Sequence, residues 1–72
     1  MRWDSAIDFI MTKNGVTKKT LAAQMGYASQ SAVYNLFSRK NAIRLDIFLR
    51  LAAALGYQVI LRNGEEEIPI EP

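Results

Sequence analysis

The segment from Thr17 to Phe37 constrains the fold most, because it predicts two short helices separated by a tight turn. Thr17 is a good N-cap residue, since its hydroxyl can accept a hydrogen bond from a free backbone N–H of the first turn. Behind it, an apolar stripe at the helical period is formed by Leu21, Ala22 and Met25. Gly26 can then adopt the left-handed conformation that closes a helix without steric cost.

The second of these helices is predicted to carry one apolar face and one uncharged polar face. Ser29 is its expected capping residue, and its apolar stripe is Val33, Leu36 and Phe37. The outward face carries four hydrogen-bonding side chains, namely Gln30, Ser31, Tyr34 and Asn35. A face that only needs solvation carries Lys and Glu more often. Donors and acceptors without net charge are what base edges in the major groove require, so this face favours DNA reading.

This pattern resembles the helix-turn-helix of the phage repressor and Cro family, also called the XRE family. The matching residues are Thr17, Leu21–Ala22, Met25–Gly26, Gln30–Ser31, Val33 and Leu36–Phe37, followed by Leu51–Ala52 and Leu55–Gly56. The resemblance implies an all-α fold, a repressor-like bundle of four to five short helices. Gly26 and Val33 lie one position further apart than is common in the family. We place the extra residue in the turn, at Tyr27–Ala28.

Composition limits the chemistry that the chain can perform. Its 72 residues make one small domain without cysteine or histidine. Disulfides, thiolate metal sites and the usual general base are therefore excluded, and we expect no cofactor and no enzymatic activity. No apolar run reaches the length of a membrane span, and the N-terminus does not resemble a signal peptide. A reducing cytoplasm is the expected compartment.

Charge is distributed unevenly along the chain. All nine basic residues lie at or before Arg62, against three acids there, which gives that part a net charge of +6. The remaining four acids are Glu65, Glu66, Glu67 and Glu71. A basic body with an acidic tail suits a polyanionic partner, although an ordinary basic surface is the alternative.

Two further helices are predicted on either side of the central segment. The first begins with Asp4 or Ser5 as its cap and runs to about Asn14. The last runs from Leu45 to Leu55 and ends at Gly56. Its expected inward stripe is Leu45, Phe48, Ala52 and Leu55, and a second apolar flank is Ile47, Leu51 and Ala54. A helix that is apolar on two sides needs two partners, so the second flank is expected to contact another subunit.

Residues 57–72 are predicted to form a separate C-terminal element after the helical region 1–56. Tyr57–Arg62 alternates with the strand period, and Asn63–Gly64 is a strong hairpin signal. Such a hairpin would place Val59 opposite Ile68 and Arg62 opposite Glu65, with Pro69 on an outer edge.

A single hairpin is unstable in water, so we expect it to pair with a second copy in a homodimer. The resemblance supports this, because some family members carry a C-terminal dimerisation strand. The expected dimer contacts are Ile47, Leu51, Ala54, Tyr57, Val59, Ile60 and Leu61. The alternative is a strand that packs only on its own helices, with a disordered tail after Gly64.

The candidate site consists of base contacts and phosphate contacts. The base contacts are Gln30, Ser31, Asn35 and Tyr34. Gln30 comes first, since glutamine pairs bidentately with adenine. The phosphate contacts are Thr17, Lys18, Lys19, Ser29, Arg39, Lys40 and Arg44. The resemblance implies that the loop after the second helix grips the DNA backbone, and that Lys18 replaces a common Gln. Plain exposed polar surface is the alternative for each.

The function that these features favour is a sequence-specific, repressor-like regulator that binds a two-fold symmetric operator as a homodimer. Two alternatives stay open. The chain could be the antitoxin of a toxin–antitoxin pair, in which the acidic residues 65–72 bind a basic toxin. It could also be a protein-interaction module without DNA binding. No membrane association is expected in any of the three.

Overall fold

The computed structural model describes residues 1–38 and 42–72, and these form four helices followed by a β-hairpin. The elements are α1 (Trp3–Asn14), α2 (Lys18–Gln24), α3 (Ser31–Ser38), α4 (Leu45–Ala54), β1 (Val59–Asn63) and β2 (Glu66–Ile70). This order agrees with the helical bundle and C-terminal hairpin expected from the sequence. The hairpin also excludes the alternative in which the chain after Gly64 is disordered.

The start of α1 differs from the prediction. The residue before the helix is Arg2, which makes no side-chain capping bond, and Asp4 already lies in the first turn. There the Asp4 carboxylate accepts the Ser5 N–H at 2.9 Å. Tertiary packing explains the earlier start, because the Trp3 ring stacks on Phe37 with 5.4 Å between centroids. The helix ends at Asn14, as predicted.

The sequence predicted the N-terminal cap of α2 correctly and that of α3 wrongly. Thr17 caps α2, where its hydroxyl accepts the Thr20 N–H at 3.2 Å. The prediction that Ser29 caps α3 is wrong, because the helix begins only at Ser31. The Ser29 carbonyl accepts the Ala32 N–H at 3.4 Å, and the Gln30 carbonyl accepts the N–H groups of Val33 and Tyr34 at 3.1 Å. The Ser29 hydroxyl instead pairs with the Ser31 hydroxyl at 2.9 Å. The longer turn shifts the start of the helix past Ser29.

One hydrophobic cluster joins the four helices. Its buried members are Ile7, Met11, Leu21, Ala22, Met25, Val33 and Leu51. The half-buried side chains packed against it include Leu36 and Phe37, so the predicted stripes of both central helices are confirmed. Complete burial of such a side chain stabilises a fold by about 1.5–3 kcal/mol. The cluster therefore fixes α3 with its polar face outward.

Helix α4 corrects two predictions. Leu51 is completely buried in the core, so it is not available for contact with a second subunit. Leu45 was expected to face inward, yet it is 64% exposed. It lies on the same side of the helix as Phe48, but one turn earlier, where the core does not reach. Leu49, which neither predicted stripe included, is buried. Ala54 is half-buried against the core cluster.

Arg50 ties α4 to the end of α2. Its guanidinium donates to the Met25 carbonyl at 3.0 Å and lies 5.9 Å from the centre of the Tyr27 ring. Carbonyls at a helix end have no intrahelical partner, so this contact satisfies one of them. The turn between α2 and α3 is thereby held against α4.

We expect Arg50→Met to lower the free energy of unfolding by about 1 kcal/mol, because one charge-assisted hydrogen bond is lost while the side-chain stem is kept. Chemical denaturation followed by circular dichroism measures the change. Arg44→Met is the matched control. Within residues 1–38 and 42–72, Arg44 pairs only with exposed Asp46, and such surface pairs contribute little, so its effect should stay below about 0.5 kcal/mol. Equal losses in both variants would contradict the assignment to Arg50.

The hairpin forms with a register different from the predicted one. Val59 pairs with Ile70 and Arg62 with Glu67, so β2 is shifted by two residues. Gly64 rather than Asn63 is the first central residue of the turn, with φ of 61°, and no described non-glycine residue has positive φ. A type II′ turn requires positive φ only at its first central position, whereas a type I′ turn at Asn63–Gly64 would require it at both.

Candidate nucleic-acid interface

The outward face of α3 is polar, uncharged and accessible. Gln30, Ser31, Tyr34 and Asn35 are all exposed, with Tyr34 at 53%. On the opposite side of the same helix Val33 is completely buried. The sequence therefore predicted correctly which side of α3 faces outward. Whether these side chains contact DNA bases stays a prediction.

Gln30 lies at the start of α3, beside an open groove. This groove has a volume of about 360 Å³ and is lined by Lys19, Ala22, Ala23, Tyr27, Ala28, Ser29 and Gln30. Two of the predicted phosphate contacts, Lys19 and Ser29, therefore share one surface with the first predicted base contact. A cation and a hydroxyl beside an exposed amide allow phosphate and base edges to be contacted from one side of the molecule.

Lys18 links three helices. Its ammonium lies 4.9 Å from the centre of the Phe37 ring, 5.3 Å from that of Tyr34 and 3.9 Å from the Asp8 carboxylate. Cations are attracted to aromatic faces at such distances. The side chain thus bridges α2 to α3. Its role at phosphate stays a prediction.

Several other predicted phosphate contacts have protein partners. The Thr17 hydroxyl caps α2 and also lies 3.0 Å from the Thr20 hydroxyl. Arg44 forms two hydrogen bonds to Asp46, at 3.1 and 2.8 Å, in an exposed pair that solvent screens. Arg39 and Lys40 lie outside the described residues. The predicted phosphate contacts within the described residues are therefore Thr17, Lys18, Lys19, Ser29 and Arg44.

Two supporting residues were not recognised from the sequence. The Asp8 carboxylate lies 3.9 Å from the ammonium of Lys18. Trp3 stacks on Phe37, and its buried indole N–H has no hydrogen-bond partner in the described part of the chain. Both contacts join residues distant in sequence, so neither periodicity nor spacing could have revealed them.

Within the described residues, no three His, Cys, Asp or Glu side chains gather closely enough to hold a metal ion. None of the described helices reaches the length and apolarity that crossing a bilayer requires.

Comparison with known proteins gives one match. A family model described as Helix-turn-helix matches residues 9–60, a range that extends from α1 into β1 and includes the whole polar face of α3. Searches of curated proteins and of solved structures find no match.

Proposed function

Because the chain belongs to the XRE-type helix-turn-helix family, we propose that it is a sequence-specific, repressor-like regulator that binds DNA as a homodimer. The observation that carries this proposal is the exposed, uncharged face of α3. Its four hydrogen-bonding side chains are presented by a helix whose other side is fixed in the core. The same helix has no charged residue in its described length, as base reading favours.

In the proposed complex, α3 lies in the major groove and Gln30 reaches the deepest base edge. Its amide can pair with N6 and N7 of adenine. Ser31 and Asn35 contact neighbouring bases, and Tyr34 packs along the sugar–phosphate edge. Lys19 and Arg44 contact phosphates, which sets the position of the helix without reading sequence. The charged side chains therefore contribute binding free energy that does not depend on sequence, and the uncharged side chains of α3 contribute the sequence specificity.

A homodimer places two such helices in successive major grooves, about 34 Å apart, on a symmetric operator. Occupation of an operator that overlaps a promoter excludes RNA polymerase, which is the proposed mechanism of repression. The absence of histidine and cysteine from the sequence supports a binding protein rather than an enzyme.

Selection of bound sequences from a random duplex library tests the proposal, with affinity for the selected duplex measured over a range of salt concentrations. We expect a symmetric consensus whose half-sites lie about 10 base pairs apart, and an affinity that falls steeply with salt. A library that shows no enrichment at any salt concentration would overturn sequence-specific binding.

Lys18→Met should weaken binding to selected and random duplexes alike and reduce the salt slope by about 1, because one phosphate contact is lost. It should also lower the free energy of unfolding by about 0.5–1 kcal/mol through loss of the cation–π contacts. Lys13→Met is the control, since Lys13 is an exposed lysine in the last turn of α1 and is not one of the candidate contacts. An unchanged salt slope in Lys18→Met would assign Lys18 to positioning α3 alone.

An antitoxin is the second candidate function, and the exposure of β2 favours it. Ile68 is 48% exposed and lies on the same face as Glu66, so the strand offers an apolar residue among acids to a basic protein. Mixing the chain with the product of the neighbouring gene and analysing the mixture by size-exclusion chromatography tests this candidate. The absence of a complex would exclude that product as the partner.

A further inference from the structure

The hairpin extends away from the helical core. None of its described side chains belongs to the core cluster, and the molecule measures 40 Å along its longest axis against 23 and 21 Å along the others. Leu61 is 59% exposed and Ile68, its cross-strand neighbour, 48%. Two strands with exposed aliphatic side chains are marginally stable alone in water, so this hairpin needs a further strand or a covering surface.

The register determines which backbone groups are free. Hydrogen-bonded and non-hydrogen-bonded pairs alternate along an antiparallel ladder. Because Asn63 and Glu66 close the turn as a bonded pair, the non-bonded pairs are Arg62–Glu67 and Ile60–Pro69. The N–H and C=O groups of residues in non-bonded pairs point away from the partner strand.

The two outer edges of the hairpin are consequently unequal. On β1, both Ile60 and Arg62 offer an outward N–H and an outward C=O. On β2, Pro69 has no N–H, and Glu67 beside it is charged. Proline and charged side chains are the means by which proteins protect an edge strand from pairing. Only the edge of β1 can accept another strand along its whole length.

We propose that the edge of β1 pairs antiparallel with β1 of a second copy of this chain, around a two-fold axis that passes through Leu61. This inference rests on the homodimer of the proposed function and specifies its interface. With the axis at Leu61, all five residues of each strand are paired, and Ile60 lies opposite Arg62 of the partner copy. The outward groups of both residues then form four hydrogen bonds across the axis.

Neighbouring positions of the axis are less favourable. An axis at Ile60 or at Arg62 pairs only three residues of each β1 and satisfies the outward groups of only one of the two. The Leu61 axis also sets no like charges opposite each other, since Arg62 faces Ile60 and keeps its own salt bridge to Glu67. One face of the resulting four-stranded sheet carries Val59, Leu61, Ile68 and Ile70 from both copies.

Single cysteines test the edge and the axis together, because the natural chain has no cysteine. Residues opposite each other in a non-bonded pair have Cα atoms about 4.5 Å apart, a distance that a disulfide spans. Leu61→Cys should therefore form a covalent dimer under mild oxidation at least about tenfold faster than Ile68→Cys. Ile68 is the matched control, since it lies on the same face and is similarly exposed, but on β2.

A backbone substitution leaves every side chain in place. Chemical synthesis with an N-methyl group on Ile60 removes one outward donor from each copy, and the dimer should dissociate about 30-fold more readily. N-methylation of Glu67, on the outer edge of β2, should leave dimerisation unchanged. Circular dichroism of both synthetic chains shows that the helical region is folded.

Sedimentation of the natural chain, alone and on the selected duplex, distinguishes a failure of the β1 pairing from a failure of the proposed homodimer. A dimer in which Ile68→Cys crosslinks as fast as Leu61→Cys, or in which N-methyl Ile60 has no effect, overturns the β1 edge and leaves the dimeric regulator standing. A chain that remains monomeric even on the selected duplex overturns the homodimer and the β1 pairing together. Rapid crosslinking of Leu61→Cys with dimers on DNA supports both.

Discussion

Leu51→Ala is expected to lower the free energy of unfolding by about 2–5 kcal/mol, because it leaves a cavity at a completely buried position. In a chain of this size the loss is a large part of the total stability. Denaturation with urea, followed by circular dichroism at several protein concentrations, measures the change and separates folding from association.

Ile47→Ala is the matched control on the same flank of α4, one turn before Leu51. Ile47 is half-buried and lies outside the core cluster, so its truncation should cost less than about 1 kcal/mol. Leu51 was first interpreted as a subunit contact on the same flank as Ile47. A small stability loss in Leu51→Ala, together with weaker dimerisation, would restore that interpretation and contradict the core position.

The sequence predicted the elements whose pattern is local. Helix α2 has one apolar side only, formed by Leu21, Ala22 and Met25, so a single orientation of the helix buries that side. The sequence could not orient α4, because that helix is apolar on two flanks and the core takes residues from both, with Leu51 of one flank and Ala52 of the other buried. Leu51 and Leu45 exchanged their expected environments for this reason.

The hairpin shows a second limit of sequence interpretation. Both Asn63–Gly64 and Gly64–Glu65 are acceptable two-residue turns, and the choice between them shifts β2 by two residues. Such a shift retains the face of every side chain, so hydrophobic alternation cannot distinguish the two registers. It does change the cross-strand partner of each residue, and it pairs Pro69 with Ile60.

In the candidate interface, the sequence predicted which side chains of α3 are exposed, but it did not predict which side chains contact each other. The polar face of α3 follows directly from helical spacing opposite a buried Val33. The position of the Lys18 ammonium over Tyr34 and Phe37 depends on the angle at which α2 crosses α3. Crossing angles depend on how the side chains of two helices pack together, and the spacing of residues along one helix does not determine this packing.

Gln30→Ala should weaken binding to the selected duplex by about 1–3 kcal/mol and binding to random duplex DNA much less. The reason is that a bidentate amide–adenine contact is lost, whereas the phosphate contacts made by cations are kept. The salt slope should therefore be unchanged on both duplexes. Fluorescence anisotropy with labelled duplexes, at three or more salt concentrations, measures affinity and slope together.

Gln24→Ala removes the same amide from an exposed position at the end of α2, where Gln24 borders a different groove beside Met25 and Arg50. It should leave both affinities unchanged. Selected duplexes with the adenine of each half-site replaced complete the test, because Gln30→Ala should lose its preference for adenine there. Equal losses on selected and random DNA would show that Gln30 does not read a base, and the specificity would then have to come from Ser31 and Asn35.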